Sequence, residues 1–73
     1  MDFAVAFGRT IRRLRKQRGL TQEELGFEAD LRRTFVSILE LGQQQPTLTT
    51  ICKIAKVFEM QPSELLREVE KEF

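Results

Sequence analysis

The chain has 73 residues, with twelve Lys or Arg, eleven Asp or Glu, one cysteine and no histidine. That length holds one small core, near the lower end of what folds unaided, so a single domain over residues 1–73 is expected. The same counts exclude an internal disulfide and leave a zinc site without its usual ligands, while apolar and charged shares of 41% and 32% are those of a folded chain.

No apolar run is long enough to cross a bilayer, and the opening MDFAVAFGR lacks the basic leader of a signal peptide. A reducing, cytoplasmic setting without membrane association is therefore expected, with no metal and no cofactor. Charge is unevenly spread. Residues 1–33 hold eight Lys/Arg against five Asp/Glu, and residues 34–73 hold four against six. A basic N-terminal half suits a polyanion, whereas the acidic tail (Glu64, Glu68, Glu70, Glu72) would be repelled by one.

In chain order the pattern predicts five helices and no strand, an all-α domain. Phe3, Phe7, Ile11 and Leu14 draw an apolar stripe on a helix from about Phe3 to Arg18, and Gly19 ends it. Six basic residues lie along it: Arg9, Arg12, Arg13, Arg15, Lys16 and Arg18. Thr21 opens a second helix, with Glu24 three residues on completing a capping box, and Leu25 and Ala29 facing inward. Ala29-Asp30-Leu31 makes a turn. A third helix follows over about Arg32 to Leu41, its inward pair Val36 and Leu39, and Gly42 stops it.

Gln43-Gln44-Gln45-Pro46 reads as a loop, and Thr47 caps a fourth helix carrying Leu48, Ile51, Ile54, Ala55 and Phe58 on its apolar side. Cys52 is expected to be a small buried apolar residue there. Gln61-Pro62 starts a fifth helix, since proline is tolerated in a first turn, with Leu65, Leu66, Val69 and Phe73 as its apolar side.

The segment Gly19 to Gly42, GLTQEELGFEADLRRTFVSILELG, carries most information. Two short helices joined by a tight turn, beside a basic helix, are the form in which a small protein offers one helix to the DNA major groove. With Val36 and Leu39 turned inward, the outward positions of the third helix are Arg32, Arg33, Thr34, Ser37 and Ile38. Phe35 can either pack on the second helix or meet thymine methyls and sugars. Gln22, at the first position of the second helix, can meet a phosphate together with free backbone N–H groups.

From Ile11 to Leu66, the strings IRRLRKQRGLTQEELG and RTFVSILELGQQQPTLTTICKIAKVFEMQPSELL resemble the Cro/repressor-type helix-turn-helix family, the phage-repressor-like and controller-protein DNA-binding domains. The resemblance implies a compact five-helix repressor-like domain with helices 2 and 3 as the helix-turn-helix. It implies a sequence-specific transcriptional regulator that binds a pseudo-palindromic operator in double-stranded DNA as a homodimer. It places Arg33, Thr34, Ser37 and Ile38 at base edges, Arg33 able to donate twice to guanine. Gln22, Arg32, Gln43, Gln44 and Thr47 fall toward the sugar-phosphate backbone, and Arg15 and Glu40 are implied to form a semi-buried ion pair that orients helices.

Two positions depart from the family pattern: Asp30 stands where glycine is usual, and Arg32 where a Ser or Thr cap is common. Leu66, Val69, Phe73 and Met60, bordered by Val57, form the expected dimer seam, and RNA polymerase is a further expected partner. A second class compatible with the residues is an antitoxin-like or other helical module whose main partner is a protein, which would work through the apolar C-terminal stripe. An enzyme is the weakest class: without histidine, and with a lone cysteine that has no base near it in sequence, there is no catalytic constellation.

Overall fold

The computed structural model describes residues 2–73, so Met1 of the expected 1–73 domain lies outside it. Five helices follow one another, and no strand occurs among the described residues: α1 (Phe3–Gln17), α2 (Gln22–Ala29), α3 (Arg33–Glu40), α4 (Leu48–Val57) and α5 (Pro62–Glu70). Side-chain caps set most of the helix starts, those of α2 and α4 at the residues read from the sequence. Asp2 caps α1, its carboxylate accepting from the Val5 N–H at 2.9 Å. Thr21 and Glu24 form the reciprocal capping box of α2, at 3.0 and 2.8 Å. The Thr47 hydroxyl accepts from the Thr50 N–H at 3.1 Å to start α4. Each satisfies an N–H that the first helical turn would leave without a partner.

The core gathers Phe7, Ile11, Leu25, Val36, Leu39, Ile54, Phe58 and Leu65, all fully buried, so every helix contributes an inward stripe. α2 packs on α3, α1 lies against α3 and α5, and α4 joins α2 to α5. Two charged links fasten the last helix: Arg13 Nη2 donates to Glu68 at 3.2 Å, with Glu72 3.9 Å from the same guanidinium. Lys71 and Arg13 together hold the Glu68 carboxyl below the usual glutamate range, the Lys71 hydrogen bond being the larger cause.

Several expectations are corrected. Leu48, assigned to the apolar side of α4, is 77% exposed, because a residue in the first turn extends past the edge of the core that Ile51 and Ile54 reach. Cys52 is exposed rather than buried, since it shares neither face with Ile51 and Ile54. α5 ends at Glu70, so Phe73 lies beyond the helix and is 65% exposed. Val69, expected in the dimer seam, is 1% exposed and belongs to this chain's own core, leaving no surface for a partner.

Candidate nucleic-acid interface

The turn between α2 and α3 is built from backbone geometry. Asp30 takes the left-handed conformation (φ 57, ψ 48) that ends α2, and the Leu31 N–H returns to the Gly26 carbonyl at 2.7 Å. The chain folds back so tightly that a β-carbon on Gly26 would stand 2.6 Å from the Leu31 carbonyl oxygen, so only glycine fits there. Asp30 thus supplies the conformation that the family pattern gives to glycine. Its carboxylate lies 3.8 Å from Lys53 Nζ, which offsets some of its charge.

α3 starts one residue later than expected. Arg32 is its N-cap without a side-chain cap bond, because a guanidinium offers no acceptor. Val36 and Leu39 anchor the helix from beneath at 0% exposure. Arg32, Arg33 and Thr34 are therefore turned to solvent at its start, with Ser37 and Ile38 half-buried on the same outer side. Phe35 is half-buried and packs against the core. Neither Arg32 nor Arg33 forms an ion pair or a side-chain hydrogen bond among the described residues. Two free guanidinium groups thus open a helix whose flank carries no acid from Leu31 to Leu39.

The expected pair of Arg15 and Glu40 is present and doubly bonded. Arg15 Nε donates to Oε2 of Glu40 at 2.6 Å, and Nη2 donates to Oε1 at 3.0 Å. Both side chains are nearly buried, at 10% and 3% exposure, and Nη1 donates to the Leu20 carbonyl at 2.8 Å. The hydrogen bonds to Glu40 hold the Arg15 guanidinium proton above its usual range. This pair fastens the end of α1 to the last residue of α3.

Gln22, expected at a phosphate, donates through Nε2 to Glu40 Oε1 at 3.1 Å. Sequence spacing gave no sign of this bond, because Gln22 and Glu40 lie 18 positions apart and meet only through the packing of α2 on α3. One Nε2 hydrogen remains for an outside acceptor. Gln22 lines an open cleft of about 430 Å³ together with Thr21, Glu23 and Arg33.

The basic run of α1 is not one positive face. Arg15 is buried in its pair, Arg13 turns to α5, and the Arg18 guanidinium lies 5.3 Å over the Phe58 ring. Arg9, Arg12 and Lys16 stay exposed on α1, and Arg32 and Arg33 add two cations, unpaired among the described residues, at the start of α3. Gln43, Gln44 and Thr47 are exposed on the α3–α4 connection, although the Thr47 hydroxyl is already engaged with Thr50. The surface residues that sequence reasoning passed over are Phe27, 87% exposed on α2, and Leu41, 64% exposed at the end of α3.

Known proteins share this architecture. Residues 11–65 match the helix-turn-helix family model. Control protein C.BamHI of Bacillus amyloliquefaciens is 41% identical over 66 residues, covering 89% of this chain and 82% of that protein. The crystal structure of the restriction-modification controller protein C.AhdI from Aeromonas hydrophila aligns with a TM-score of 0.81 at 40% identity, over 85% of this chain and 94% of that one. The controller protein C.Esp1396I, solved as a tetramer in complex with its natural 35 base-pair operator, aligns with a TM-score of 0.88 at 25% identity, over 99% of this chain and 95% of that one. With its two-helix unit at Gln22–Glu40 inside the matched segment, the chain belongs to the helix-turn-helix family.

Proposed function

We propose that this chain is a sequence-specific DNA-binding transcriptional regulator of the controller-protein type, acting as a homodimer on a pseudo-palindromic operator with α3 in the major groove. The observation that carries this reading is the outer flank of α3, where Arg33 and Thr34 stand exposed above a fully buried underside of Val36 and Leu39. Arg33, Thr34, Ser37 and Ile38 read base edges. Arg33 makes the bidentate contact to guanine, and Ile38 packs on a thymine methyl. Gln22, Arg32, Gln43, Gln44 and Thr47 meet the sugar-phosphate backbone, with Thr47 contributing through the first-turn N–H groups of α4 because its hydroxyl is engaged. The operator-bound assembly of C.Esp1396I supports the same reading for this chain.

A single reading helix makes too few contacts for tight specific binding, and two protomers address half-sites about 34–36 Å apart. Met60, Val57 and Leu66 are half-buried and Phe73 is exposed, so these four, without Val69, form the seam. The protein works in the cytoplasm, where its duplex is accessible, and no described helix is long and apolar enough to cross a membrane. Its role in this reading is regulatory rather than catalytic, in line with the helix-turn-helix regulators that it resembles. RNA polymerase is a second partner. Phe27 is 87% exposed on α2 with Glu23, Glu24 and Glu28 around it, an apolar residue in a charged rim that suits a protein partner.

Affinity measured against salt, on duplexes selected from a random pool and on scrambled controls, tests the reading. A steep fall of affinity with salt and a clear preference for the selected sequence are expected. A flat salt response with no preference would end it.

A further inference from the structure

Glu40 is the point where three helices meet through side chains. It is the last residue of α3, its side chain is 3% exposed, and it accepts from Arg15 Nε and Nη2 on α1 and from Gln22 Nε2 on α2. A carboxylate can only accept, so it dictates that Gln22 meets it through the amide nitrogen. The carbonyl edge would bring oxygen against oxygen. Arg15 holds that carboxylate in turn through two bonds, so Glu40 cannot swing away to follow Gln22. The remaining amide hydrogen of Gln22 has no partner among the described residues, and the side chain lines the cleft that Thr21, Glu23 and Arg33 share.

We infer that Glu40 is a positioning residue for the DNA backbone: without touching the duplex, it locks the Gln22 amide so that its free hydrogen is presented to a phosphate. This rests on the DNA-binding reading above. The Arg15–Glu40 pair then has two roles, joining α1 to α3 and setting the donor at the start of α2. A glutamine at position 40 could both donate and accept, so it would let Gln22 present either edge. With the two edges equally populated, the competent fraction falls by half, which lowers affinity about twofold per protomer and about fourfold for a dimer. Removing the Gln22 amide altogether removes the contact, with a loss of about tenfold per protomer.

The test is a double-mutant cycle of Glu40→Gln and Gln22→Ala, read as affinity for the duplex that the wild-type protein selects from a random pool. Glu40→Gln should weaken binding about fourfold in the wild-type background and leave it unchanged in the Gln22→Ala background. Equal losses in both backgrounds, the result of a merely structural role, overturn the inference, and so does no loss in either. Should Glu40→Gln fail to fold, side-chain ¹⁵N relaxation of Gln22 in the free wild-type protein decides. An order parameter near that of rigid backbone, about 0.85, is expected, and one below about 0.6 overturns the preset geometry. If the wild type selects no duplex at all, the DNA-binding reading falls and takes this inference with it. A selected duplex with a flat cycle removes the inference alone.

Discussion

Gly8 of α1 lies directly against the carbonyl oxygens of Leu39 and Glu40 at the end of α3, so that a β-carbon at position 8 would collide with the Leu39 oxygen and stand 2.8 Å from that of Glu40. The obstruction is backbone, which cannot swing aside as a side chain does. This contact sets how closely α1 approaches the presented helix, and it lets the Arg15 side chain, two turns further along α1, reach Glu40. Gly8→Ala should therefore destabilise the fold by about 1–3 kcal/mol, as overpacking of a close-packed contact does. Urea unfolding with an unchanged m-value would record it. A variant as stable as the wild type would show that the helices can separate without cost.

Arg15→Ala leaves the Glu40 carboxylate buried without its partner and should cost about 3–5 kcal/mol, a large part of the stability of so small a domain. Arg15→Met with Glu40→Leu replaces both charges by apolar volume and should recover most of that loss in thermal unfolding. Raising the pH should not reproduce the loss. A cation whose folded value is raised keeps its contribution below the ordinary arginine range and loses it only above the raised value, beyond the alkaline conditions the protein tolerates.

Glu59 occupies the left-handed region at φ 56, where it ends α4 and lets the Met60 N–H return to the Ala55 carbonyl at 2.9 Å. A β-carbon is disfavoured in that conformation by roughly 1–2 kcal/mol. Glu59→Gly should therefore stabilise the protein by roughly 0.5–1 kcal/mol after the greater chain freedom of glycine in the unfolded state is subtracted. A higher thermal midpoint for Glu59→Gly is the expected outcome, and a lower one would mean that Glu59 makes compensating contacts.

Arg33→Ala should lower discrimination at one base pair of each half-site by about 1–3 kcal/mol, while Gln22→Ala should weaken all sequences alike. Repeating the duplex selection with each variant distinguishes these effects. A consensus unaltered by Arg33→Ala would move base reading to another residue of α3.

Glu68 should titrate below the ordinary glutamate range in a carboxyl NMR titration. Its folded value is depressed, so the stability it adds is present above the unfolded glutamate range and is lost as pH falls through the folded value. Lys71→Ala should raise the Glu68 value more than Arg13→Ala does, because Lys71 supplies the larger hydrogen-bond contribution. The reverse order would make Arg13 the larger cause of the lowered value.

The five helices were legible because local chemistry fixes helix ends: Thr21 with Glu24, Thr47, and Gln61-Pro62 each act within one turn. The inward residues of the two central helices were legible for a similar reason, since a 3.6-residue period puts Leu25 with Ala29, and Val36 with Leu39, on one face. The same periodicity failed at element edges. It could not show that α5 stops at Glu70 and leaves Phe73 outside, or that Leu48 overshoots the core.

What the chain order by itself determined was a two-helix unit with Arg32, Arg33 and Thr34 on an open flank, because periodicity and capping are nearest-neighbour effects. Only the tertiary structure decided that Gln22 is tied to Glu40, that Arg13 and Arg15 are occupied by α5 and α3, and that Val69 is sealed inside. Those facts depend on which helices pack together, and contacts between residues 18 to 55 positions apart leave no periodic trace in the sequence.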